Sequence, residues 1–171
     1  GEPIDDAVLV RWDGTDWTWF DVRSLLSSPG ASSTIEAIAA LATDDVWAVG
    51  HEFDVAIGRE RALILHWDGS AWSRVAAPDE PDRNVWLRDV VARSATDVWA
   101  VGTSVVPGAW PEGCVLHYDG VAWTRVDEVE TAEGSQFFAA ATASDGTPWL
   151  AGLTNEFPVL GLAQRGVACG A

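Results

Sequence analysis

The sequence has no methionine, no lysine, only two cysteines and a single tyrosine. Each scarcity excludes something. With 10 basic residues, all arginine, against 26 acidic ones, the net charge is −16, and a nucleic-acid binder, which needs clustered Lys and Arg, is ruled out as a reading. Cys114 and Cys169 are too few for a disulfide scaffold. No apolar run approaches the ~18 residues of a membrane helix, so no membrane span is expected. No charged-then-apolar leader of a signal peptide is present, and the absence of Met at position 1 as elsewhere suggests a processed or engineered start. The familiar catalytic signatures G-x-S-x-G and H-E-x-x-H are missing too. What the chain has is apolar content, 48% of 171 residues, enough for one folded domain with a real core.

It also has tryptophan: 11 of them against 5 Phe. They recur. Asp45–Gly50 reads DVWAVG, Asp97–Gly102 repeats it 52 residues later, and TPWLAG follows at Thr147–Gly152. Alternating with these copies run RWDGTDW (Arg11–Trp17), HWDGSAW (His66–Trp72) and HYDGVAW (His117–Trp123), with a decayed AQRGVAC at Ala163–Cys169. Self-similarity at this period signals a solenoid, a propeller or an array.

One unit reads as four short strands. Ile35–Ala42 is a small-residue inner strand, Val46–Gly50 a second, Ala62–His66 a third and Ala71–Val75 a fourth. Asp68-Gly69 supplies the positive φ of a hairpin turn. Only Val22–Leu26 has a helical look. The fold class is therefore all-β, built from propeller blades of four antiparallel strands: a partial blade at 7–28 and blades at 33–78, 84–129 and 135–171. These make fourteen strands, or three and a half blades, where closure typically takes four or more. A homo-oligomer or a partner chain that completes the propeller is expected, and so is the alternative that the chain is a processed fragment or structural subunit of a larger propeller.

The pairing of VWAVG with HWDGxxW resembles tectonin-type repeats of lectin-like propellers and the Trp-rich DVWAVG arrays of secreted high-GC bacterial proteins. The resemblance runs from Arg11 to about Gly166. It implies a propeller that binds carbohydrate or another surface, outside the cell, in the periplasm or on the cell surface.

The eight tryptophans on repeat positions (12, 17, 47, 67, 72, 99, 123 and 149) read as wedges between neighbouring blades. Asp13, Asp68, Asp119, Asp45 and Asp97 read as turn formers, since one Asp per turn is too few oxygens for calcium; no metal and no cofactor is expected. His66 and His117 share a repeat position with no accompanying acid or nucleophile evident, so no catalytic residue is assigned. Residues that break the repeat carry more information. Propeller geometry sends the loops His51–Arg61 and Thr103–Gly113 and the connectors Ala76–Asn84 and Asp127–Ser135 to one variable face, joined by Thr154–Pro158. The candidate ligand-binding residues are Trp110, Trp86, His51, Arg88 and Glu112. That face is acidic, through Asp79, Glu80, Asp82, Asp127, Glu128, Glu130 and Glu133, which a solvated surface explains. The leading function is a non-catalytic binding module for protein or glycan. A glycoside hydrolase or lyase is the rival, and it would need two carboxylates about 5–10 Å apart across a pocket.

Overall fold

The computed structural model describes residues 7–78, 80–127, 129, 134–154 and, as backbone, 162–165. Among the described residues the structure is all-β, apart from one 3-10 turn, Arg23–Leu25, within the stretch that has a helical look in the sequence. Four antiparallel sheets follow one another along the chain. The first is a pair, β1 (Val8–Trp12) and β2 (Trp17–Asp21). The second holds β3 (Ser32–Ala42), β4 (Asp45–Asp54), β5 (Arg59–Trp67) and β6 (Trp72–Arg74) in sequence order. The third repeats it with β7 (Asn84–Ser94), β8 (Asp97–Val105), β9 (Glu112–Tyr118) and β10 (Trp123–Arg125). The last holds β11 (Gln136–Thr142), β12 (Pro148–Leu153) and β13 (Leu162–Arg165). The strand expected around Cys169 lies outside the described residues.

Alternating strand patterns give each sheet two apolar faces, and the cores lie between sheets. The largest joins Trp47, Val49 and Ile64 of the second sheet to Leu87, Val90 and Leu116 of the third. Here the wedge reading holds. The Trp47 ring lies 4.9 Å from Tyr118 and 5.5 Å from Trp123, edge-on to the latter at 78°. Such geometry adds about 0.5–1.5 kcal/mol to the burial itself. Trp67 is likewise buried and Trp72 half-buried, but Trp12, Trp17 and Trp149 are exposed. These three occupy the outer faces of the first and last sheets, which have no neighbouring blade among the described residues, so the wedge reading is corrected for them.

The terminal glycine of each VWAVG-type strand has a steric reason. A Cβ on Gly50, Gly102 or Gly152 would stand 1.9, 1.9 or 1.8 Å from the carbonyl oxygen of Thr34, Trp86 or Gln136. Beside each glycine the first strand of the sheet bulges, with Glu36, Arg88 and Phe138 as the extra residues. The D-G turns differ from the two-residue form. The loop from Trp67 to Trp72 has four residues, only its glycine has positive φ, and Asp68 caps it, accepting the Ser70 and Ala71 N–H at 2.8 and 2.9 Å. Asp13 and Asp119 cap their turns the same way, and these backbone donors hold all three carboxyls below their ordinary range, Asp68 at about 2.

Candidate binding surface

Antiparallel order brings the β4–β5 and β8–β9 loops and the connectors between sheets to one rim, as the repeat arithmetic predicted. The loops are shorter than expected. β4 runs on to Asp54 and β5 begins at Arg59, leaving 55–58; β8 and β9 leave 106–111. His51 is therefore a strand residue, opposite Thr34 and Ala62, and not a loop residue. Trp86 is also in a strand, half-buried on β7 opposite Thr103.

Apart from Trp86, the candidate residues divide into two groups. On the first strands, the bulge residues Glu36 and Arg88 form an ion pair of 2.5 Å between adjacent sheets, and His51 Nδ1 lies 3.8 Å from Glu36. That is too long for a hydrogen bond, and the contact is ionic only when the imidazole is protonated. Burial pushes the His51 imidazole below its ordinary pKa, against the opposing pull of Glu36. At the rim stand Trp110, 65% exposed, and Glu112, whose carboxylate accepts from Arg83 at 2.6 Å.

The rim is pinned by buried and half-buried arginine clasps. Glu52, with no exposed surface, accepts from Arg74 at 2.5 Å and from the Ser27 N–H at 2.9 Å, while Arg74 also donates to the Leu25 carbonyl. Burial alone would raise the Glu52 pKa; the Arg74 and Ser27 donors outweigh it and hold the group below its ordinary value. Arg125, at the same repeat position, pairs with Glu80 at 2.5 Å and Asp127 at 3.2 Å. The acidic cast of this face is thus partly neutralised: Glu80 and Asp127 are held by arginine, while Asp79, Glu128, Glu130 and Glu133 lie outside the described residues. Asn84 joins the rims of two sheets by accepting the Glu60 N–H at 3.0 Å.

Above this frame the sequence reading missed three side chains. Phe53, Val55 and Ile57, at and beside the β4–β5 loop, are exposed, as Trp110 is on the neighbouring loop. Their signal was available, since Phe53-Asp-Val-Ala-Ile57 is too apolar for an ordinary solvated loop. The histidines at the opposite rim also need correction. His66 and His117 do have acid partners, Asp45 at 2.9 Å and Asp97 at 3.1 Å, and lie 4.4 and 4.3 Å from the Trp47 and Trp99 rings. The identical arrangement in two units reads as a brace tying the third strand of a sheet to its second. Among the described residues, no three His, Cys, Asp or Glu side chains converge as metal ligands.

These sheets, their order and their wedge packing define a partial β-propeller. No family model matches the chain, and no curated protein matches it. Among solved structures it is similar to a chain described as "YCF48 bound to D1 peptide", with a TM-score of 0.50 and 13% identity. The match covers 95% of this chain and 48% of that one, so the chain spans about half the length of the solved propeller it matches.

Proposed function

We propose that the chain is a non-catalytic binding module whose loop rim takes a peptide or protein segment. One observation carries this reading: exposed apolar side chains (Phe53, Val55, Ile57 and Trp110) at two adjacent loops, on a frame fixed by ion pairs. Aromatic and aliphatic tips on a preorganised base are what a protein partner buries first. The similar propeller is described as bound to a D1 peptide, which supports a protein partner over a glycan. The tectonin-like kinship and an extracellular or surface setting belong to the same proposal; both rest on the DVWAVG and HWDGxxW motifs.

The test is selection from a displayed peptide library on the native chain, with each enriched peptide measured against Trp110→Ala and Ile57→Asp. Peptides that lose at least tenfold in affinity on both variants support the reading. Enrichment indifferent to both, or capture of glycans alone on an array, overturns it.

A further inference from the structure

A groove of about 610 Å³ opens between the first pair and the second sheet, lined by Leu9, Val10, Ile38, Ala40, Trp67 and Trp72 among others. The repeat itself shows what such a place holds. β1 and β2 correspond to β5 and β6, the third and fourth strands of a sheet, and β5 has β4 on the edge that β1 leaves unpaired among the described residues. One sheet further on, the position equivalent to Ile38 is Val90. Val90 is 4% exposed beneath β3 and β4, whereas Ile38 is 57% exposed. The aromatic pair equivalent to Trp67 and Trp72 is Tyr118 and Trp123, and Trp47 packs against both of those rings. Trp67 and Trp72, 5.9 Å apart, have no such indole from the first pair; Phe20 reaches Trp67 at 5.0 Å from the outer strand.

We infer that this groove is the berth of a β-hairpin of the same repeat type, supplied from outside these 171 residues. Its first strand would lay small apolar side chains over Ile38 and Ala40. Its second would hydrogen-bond along the free edge of β1 and set an indole against Trp67 and Trp72, as strand addition to an open edge does elsewhere. The donor is not a second copy of this chain, because hairpins β3–β4, β7–β8 and β11–β12 are each already paired, through β4, β8 and β12, to the third strand of their own sheet. The solved propeller's twofold greater length leaves room for such strands in a protein of this fold.

A labelled hairpin peptide with the sequence of residues 32–54, which carries Trp47 at the wedge position, is titrated into the native chain with hydrogen exchange read at β1. The inference expects saturable binding and slowed exchange of β1 amides. It also expects at least tenfold weaker binding for Ile38→Asp and for the peptide with Trp47→Ala. Trp110→Ala, on the loop rim, should bind the peptide as the native chain does, which separates this result from failure of the loop-rim proposal. No saturable binding, or binding that Ile38→Asp leaves intact, overturns it.

Discussion

At the scale of single residues, tryptophans do different work according to what lies across from them. Trp47 is buried against two rings of the next sheet, whereas Trp110 projects from a loop at 65% exposure. Removing a buried indole leaves a cavity as well as the lost burial, about 3–5 kcal/mol for Trp→Ala in a core. Trp47→Ala should therefore cost about 3–5 kcal/mol in urea unfolding, and Trp110→Ala less than about 0.5 kcal/mol. Equal costs would remove the distinction between frame and binding surface. Cys114 shows the same dependence on place: burial pushes its thiol up to about 12, so it serves as core.

At the scale of elements, strands were legible wherever tryptophan, small residues and glycine recur at a fixed offset, because those types are what a sheet-on-sheet interface demands. The ends of the strands were not. His51–Asp54 looks polar enough for a loop, yet Glu52 and Asp54 point into arginine and serine partners that let β4 continue. The bulges at Glu36, Arg88 and Phe138 were illegible for a different reason: a bulge is a mismatch of register between two strands, and its only sequence trace is the glycine opposite. Hence the Glu36–Arg88 pair was missed although Arg88 itself was singled out. The clasp at Glu52 carries a prediction. Its folded-state pKa is depressed, so its contribution is present above the ordinary glutamate value and lost as pH falls through the lowered one. Thermal midpoints measured down an acid series should drop through that range, and Glu52→Gln should flatten the drop. An unchanged slope in the variant would contradict the clasp.

At the scale of the molecule, the first three sheets have the two, four and four strands read from the repeats, the fourth strand expected of the last lies outside the described residues, and the phase of the strands adds what counting could not supply. Among the described residues the first sheet holds only third- and fourth-strand equivalents, and the groove beside Ile38 and Trp67 lies where a first and second strand stand in the next sheet. The loop rim and this berth lie on different parts of the fold, one suited to a partner segment and the other to the fold's own repeat. Both depend on indole rings holding neighbouring sheets in place. A double-mutant cycle on Trp47 and Trp123, read by urea denaturation, tests that dependence most directly. The account predicts a coupling of about 0.5–1.5 kcal/mol between the two truncations. Costs that add within ~0.3 kcal/mol would contradict it, since rings that do not meet across the interface cannot hold one sheet to the next.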